Sequence, residues 1–289
     1  MPVSTRRMRV GCEFIHDAEV ATPAVFQVTP LGVDGVSVTR ERWRIEPRSP
    51  LREYRDVYSN RCHRLTLPAG RSRVAYDAVV RVPDAAEEAD ETAPEVAPGE
   101  LPDQVLIYLT PSRYCLPDVL ADEAWARFGG LPRGYRRVQA VCQYVHDHLE
   151  FAYGSSSPTS TAVDVNAAGY GVCRDFTHLA ITFCRALNIP ARYVFGYLPE
   201  WDASPDPSPP DFAAWMQVWL GDRWWTFDPR NNVRRKGRIL IGRGRDASDV
   251  AMVTSFGRPI LQSMTVIAEQ SRHRGVRGLL AGRRSPSRD

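Results

Sequence analysis

Short apolar runs broken by Pro, Gly, Asn and Asp fill the first 83 residues. They lie at 8–15, 24–28, 35–38, 43–45, 63–67 and 76–82. Runs of this length, evenly spaced and bounded by turn formers, predict strands of a small β-sandwich covering residues 1–83. Residues 84–100 change character, with Ala, Glu, Asp and Pro and no aromatic side chain, which predicts a flexible acidic linker. From 101 onward the spacing becomes helical. Asp118 is placed to cap a helix through Phe128, and Gly129-Gly130 to end it. Val138, Val141, Cys142, Val145 and Leu149 recur at helical spacing over 134–149. A further helix is expected over 173–188, with Phe176, Leu179, Ala180, Phe183 and Leu187 on one stripe and Asn188 and Pro190 at its end.

Residues 191–198 read as a strand and 200–211 as a Pro/Ser/Asp-rich loop. Two strands then flank Gly221-Asp222, a two-residue hairpin loop. That loop sets Leu220 opposite Arg223, Trp219 opposite Trp224 and Gln217 opposite Thr226. Side chains 213, 215, 217 and 219 then share a face with 224, 226 and 228, so Asp228 lies one diagonal from position 213. The expected domains are therefore the sandwich, the linker, a core over 101–268 and a basic tail over 269–289.

Composition changes this picture little. Hydrophobic residues make up 43% and charged residues 25% of 289 residues, an ordinary globular balance. Six arginines against one acidic residue after Ser271 carry the net charge of +3, so the body is near neutral and nucleic acid is not an expected partner. No apolar run approaches a membrane span and no apolar segment follows Arg6, Arg7 and Arg9, which leads to an expected cytoplasmic location with no membrane partner. Six cysteines occur without CxxC pairs and are expected to be reduced. His146 and His148 stand two apart on a helix, on different faces, and are expected to be solvated rather than to hold zinc. No acidic loop of the EF-hand kind is present and no cofactor is expected.

The candidate chemistry sits in Gly169-Tyr170-Gly171-Val172-Cys173-Arg174-Asp175, where a small-residue loop delivers one cysteine to the first turn of a helix. Helix N-terminal N–H groups and the dipole favour a thiolate there. Together with Ala186-Leu187-Asn188-Ile189-Pro190-Ala191-Arg192-Tyr193, the hairpin strands through Trp224-Trp225-Thr226-Phe227-Asp228-Pro229, and Arg243-Gly244-Arg245-Asp246, this stretch resembles the core of the transglutaminase-like superfamily. The upstream β-rich region is similar to the N-terminal domain of its bacterial members. The resemblance implies an α+β, papain-like fold, with a cysteine helix packed on an antiparallel sheet and preceded by the small sandwich.

By the same resemblance Cys173 is the nucleophile and Asp228 orients an imidazole, which should stand at 213. The chain has Ala213 there, and Gln217 where the family often has Glu. An imidazole takes the thiol proton and later protonates the leaving amine, a contribution of about 10²–10⁴-fold. His178, about 140° around the helix from Cys173, is the local candidate for a substitute base, set against a role in fixing the helix to a neighbour. Tyr170 is a candidate oxyanion donor, Asp175 a candidate site residue, and Trp215 a candidate pocket wall. Two functions follow from the resemblance. One is hydrolysis or acyl transfer of a peptide or protein amide through Cys173. The other is a catalytically reduced relative whose groove binds a peptide or protein partner.

Overall fold

The computed structural model describes residues 4–199 and 210–271. Its first six strands are β1 (Thr5–Ala18), β2 (Thr22–Phe26), β3 (Ser37–Glu46), β4 (Arg52–Arg55), β5 (Arg61–Leu67) and β6 (Gly70–Pro83). Period-two burial explains the longest of them. Met8, Val10, Cys12 and Phe14 of β1, and Val74, Tyr76, Ala78, Val80 and Val82 of β6, turn inward while their neighbours, Gly11 aside, are less buried. The runs expected at 35–38 and 43–45 belong largely to one strand, β3, with a register shift between Val38 and Arg40. The fully exposed β4 has no apolar alternation and is held by backbone pairing to β5.

Between the two layers the chain runs through α1 (Asp103–Leu106), α2 (Ala121–Phe128), α3 (Tyr135–His148), β7 (Glu150–Phe151), α4 (Ala162–Ala168), β8 (Tyr170–Gly171) and α5 (Cys173–Ala186). Then come β9 (Ala191–Tyr197), β10 (Ala213–Leu220), β11 (Arg223–Phe227), β12 (Ile239–Gly244), β13 (Val253–Ser255) and β14 (Ile260–Gln270). Asp118 does not cap α2, which starts after Leu120 and has no side-chain cap. The antiparallel core sheet has the order β11-β10-β9-β12. Phe176, Leu179, Ala180 and Phe183 of α5 pack in one apolar cluster with Ala214, Met216, Val218 and Leu220 of β10. Each large side chain fully buried there contributes roughly 1.5–3 kcal/mol. The hairpin register is the expected one, and Gly221 supplies the positive φ (63°) that the tight turn needs.

Two domain boundaries read from the sequence need correction. The two C-terminal strands do not belong to the core: β14 pairs with β1 and β13 with β2, so each completes a four-stranded sheet of the first domain. In β14 only Val266 is buried, so no apolar alternation marks where this strand belongs; backbone pairing places it. Residues 84–100 are not a flexible tether. Glu95 accepts from Gly134 N–H, Arg133 and Arg137, the Ala93 carbonyl accepts from Tyr135 N–H, and the Pro94 carbonyl from Gly221 N–H. Glu87, Glu88, Glu91 and Glu95 are ion-pair partners for the core, which composition alone cannot distinguish from solvated charge. Gly134 (φ 97°) permits this strap, since a Cβ there would stand 2.4 Å from the Ala93 oxygen. Of the expected tail, residues 272–289 lie outside the described residues, as do 200–209 of the expected loop, while residues 269 and 270 belong to β14.

The two layers share one continuous apolar cluster. Asn60 in the first domain donates to the Arg243 carbonyl and accepts from Arg243 N–H (2.8 and 2.9 Å), and the Tyr197 hydroxyl donates to the Val28 carbonyl. Among the described residues no helix is long and apolar enough to cross a membrane. Removing residues 258–289 would strip β14 from β1 between Met8 and Asp17. We expect such a truncation to lower Tm by about 10 °C or more, or to leave the chain insoluble, as read by calorimetry. A Tm within two or three degrees of the full chain would show that the strand is not part of the folding unit.

Candidate active site

Cys173 is the first residue of α5, and the loop before it is built for that position. Gly169 ends α4 in the left-handed region (φ 77°), and Val172 is extended just before the helix. The Asp175 carboxylate accepts the Val172 N–H (2.9 Å) and the Asp175 N–H donates to the Val172 carbonyl, so the first turn is closed on itself. Gly171 leaves room for that carboxylate, since a Cβ there would stand 2.8 Å from the Asp175 Cβ. Arg174 covers the other oxygen of Asp175. Asp175 is thus fully engaged in holding the loop.

The start of β10 lies beside the Cys173 thiol, where the Ala214 backbone acts to lower its pKa. Burial nevertheless raises the thiol above its ordinary value. Ala214 and the charge of Arg230 act to lower it, while Asp211 and Asp228 act to raise it. The stabilised thiolate that a helix N-terminus suggests is therefore not what this cysteine has.

Asp228 stands beyond the end of β11 and is buried. Its Oδ1 accepts Arg230 N–H (3.0 Å) and Asn231 N–H (2.9 Å), and its Oδ2 accepts Asn231 Nδ2 (2.7 Å) and Arg238 Nη2 (2.6 Å). A carboxylate has about four acceptor positions, and all four are used. Burial alone would raise this carboxyl, but the Arg238 guanidinium and the Asn231 hydrogen bonds outweigh it and hold it below the usual carboxylate range. Arg238 is itself buried, bonded through Nε to Glu87 and placed over the Trp215 ring at 4.9 Å. Ala213 sits in a small apolar cluster with Trp215, Leu31 and Val33. The pairing expected between Asp228 and an imidazole is here a pairing between Asp228 and a guanidinium. Neither Arg238 nor Glu87 stood out in the sequence. The available signal was that a buried aspartate without its histidine needs another cation.

Gln217 uses its carbonyl oxygen to accept two bonds from the buried Arg192 (2.9 and 2.6 Å), whose guanidinium lies 4.0 Å from the Trp224 ring centre. Tyr170 is exposed on β8. His178 is not a substitute base. It is buried between Tyr114 and Tyr193, and its Nε2 accepts the Ala247 N–H (3.1 Å). Burial pushes its pKa down to about 3, so it is a neutral post that ties α5 to the segment after β12. The other described histidines are also committed elsewhere. His16 and His63 are buried against aromatic rings of the first domain, His146 bonds the Arg230 carbonyl and His148 the Asn166 carbonyl. His148 is therefore a part-buried structural residue rather than a solvated one.

His178 makes a pH prediction. Its folded value lies below its ordinary 6.5, so the unfolded chain binds the proton first. The stabilisation is complete above about pH 6.5 and is lost as pH falls toward 3, with a limiting slope of about 1.4 kcal/mol per unit. Urea unfolding between pH 6 and 5 should show a smaller slope in His178→Asn than in the parent chain. Equal slopes would remove His178 from this role.

Comparison with known proteins agrees with this architecture. Residues 124–229 match the family described as the transglutaminase-like superfamily. An uncharacterized protein of Mycobacterium leprae is 37% identical over 119 residues, covering 40% of this chain and 42% of that protein. One of Mycobacterium tuberculosis is 39% identical over 119 residues, covering 36% of each. The chain thus spans less than half the length of these curated relatives. A crystal structure titled a "Putative Cysteine Protease from Cytophaga hutchinsonii" superposes with a TM-score of 0.84 at 27% identity, covering 94% of this chain and 93% of that one. With its cysteine helix on an antiparallel sheet and these motifs in this order, the chain carries a transglutaminase-like core of papain-like fold that matches the superfamily over residues 124–229.

Proposed function

We propose that this protein binds a peptide or protein amide segment in the groove beside Cys173 without completing acyl transfer. One observation carries the reading: all four acceptor positions of Asp228 are taken, by Arg238, Asn231 and the Arg230 backbone. Acyl transfer from an amide needs a base for the thiol proton and an acid for the leaving amine. Ala213 offers neither, and an imidazole placed there would find no open site on Asp228 to fix its tautomer. The raised Cys173 thiol agrees with this, since the few per cent of thiolate that an ordinary cysteine holds at neutral pH is reduced further. The six free thiols support a reducing, cytosolic setting.

A second reading is slow acyl transfer through Cys173. It draws on the Ala214 backbone acting to lower the Cys173 thiol, the position at a helix N-terminus and the likeness to the Cytophaga protein. Iodoacetamide alkylation followed by intact mass separates the two. The binding reading expects a Cys173 rate that keeps climbing above the ordinary thiol range, with no plateau near neutral pH. It also expects no amide turnover in either the parent or Ala213→His. A plateau at or below neutral pH, or amide hydrolysis lost in Cys173→Ala, would establish the acyl-transfer reading instead.

A further inference from the structure

The first domain meets the core with one end of its sandwich and leaves the other end uncovered. β2 starts at Thr22 on the free end and leads to Leu31, whose N–H donates to the Leu240 carbonyl of β12. β5 runs the opposite way, from beside Asn60 and its Arg243 bonds to Leu67. Register brings the turns of the free end together. Ala18 of β1 pairs with Gly70 of β6, and Asp17 lies between Arg71 and Ile260 of the neighbouring strands. Phe256 N–H donates to the Pro23 carbonyl, and Gly257 lies against Thr22, whose hydroxyl donates to the Val20 carbonyl.

This end carries apolar side chains that the fold leaves in solvent. Val20 is 68% exposed, Phe256 67%, Ile260 63% and Leu261 50%. They come from segments far apart in the chain, so no apolar run in the sequence announces them. A single exposed apolar residue is ordinary, but four at one end make a patch of roughly 400 Å². Charge surrounds the patch. Arg48, Arg52, Arg64, Arg71 and Arg258 are exposed at or near the same end, and none of them is in an ion pair among the described residues. The acidic groups there are Asp17, Glu19, Glu13 and Glu46, the last two held by Arg73. The end is therefore net positive.

Size and charge together decide what fits. A stable protein interface buries about 800 Å² on each partner, roughly twice what these four side chains offer. Apolar side chains on exposed turns ringed by arginines suit an anionic bilayer instead. The apolar groups enter the boundary between headgroups and acyl chains, and the guanidiniums meet the headgroup anions. We propose that this end of the first domain docks on an anionic lipid surface, with Val20, Phe256, Ile260 and Leu261 inserted and Arg48, Arg71 and Arg258 on the headgroups. Such docking needs no spanning segment, so it revises the expectation of no membrane partner, which rests on apolar runs alone. The strands of the sandwich then hold the core away from the lipid, and the surface is independent of the thiol.

The test sediments the full chain with vesicles of phosphatidylcholine alone or with about 30 mol% phosphatidylserine. The expected result is binding to the anionic vesicles that is about tenfold or more tighter than to the neutral ones, weakens as salt is raised, and is equal in the parent and in Cys173→Ala. Val20→Ser combined with Phe256→Ser should weaken binding by about tenfold or more, with Tm unchanged because both side chains are exposed. Phe256→Trp should show fluorescence quenching by brominated acyl chains beyond that of the parent. No binding of the parent to anionic vesicles, binding that the double variant leaves unchanged, or no added quenching in Phe256→Trp would each overturn the proposal. So would a dimer seen by analytical ultracentrifugation without lipid and abolished by the double variant, because a second copy would then cover the patch.

Discussion

The guanidinium of Arg238 lies between two carboxylates, Asp228 just past the β11 strand and Glu87 in the strap that joins the domains. The site depends on this arrangement. A cation this buried is tolerable only if ionised partners meet it with good geometry, and leaving either side unpaired costs about 3–5 kcal/mol. The pairing anchors the turn after β11, holds the strap against the core sheet and sets the guanidinium on Trp215. It also sets the electrostatics near Cys173, because Asp228 stays ionised and its charge acts to raise the thiol.

That single pairing has two consequences. It removes the carboxylate from any role in orienting an imidazole, so the cysteine keeps its position at the helix start without the proton relay that would use it. It also seats the guanidinium against Trp215, on the face of the hairpin turned away from the apolar contacts with α5. Ala213 is consistent with both. A small residue leaves Trp215 covered by Leu31 and Val33, and the space is given to packing rather than to acid–base chemistry.

Much of this architecture is legible in the chain. Period-two burial in β1 and β6, helical spacing in α3 and α5, and the Gly221-Asp222 loop specify their elements and the hairpin register from local chemistry. The Cys173 loop is legible too, because Gly171 and Asp175 act within a few residues of one another. What escapes is set by contacts between distant segments. Strand β14 carries little apolar pattern and is placed by backbone bonds to β1, some 250 residues away in the chain. Residues 84–100 have the composition of a solvated linker, and only the arginines they meet in the fold make them a strap. The same holds for Glu87 and Arg238, which carry no motif and matter because Asp228 lacks a histidine. Helical spacing turns His178 away from Cys173, whereas its neutrality follows from Tyr114, Tyr193 and Ala247 closing around it.

The central claim is that Asp228 belongs to Arg238, not to a catalytic base. A crystal structure of Ala213→His at neutral pH tests it directly. The account predicts that Asp228 keeps its bonds to Arg238 and Asn231 and that the new imidazole makes no bond to its carboxylate. An imidazole bonded through one nitrogen to Asp228 and through the other to the Cys173 sulfur, with Arg238 displaced, would contradict it.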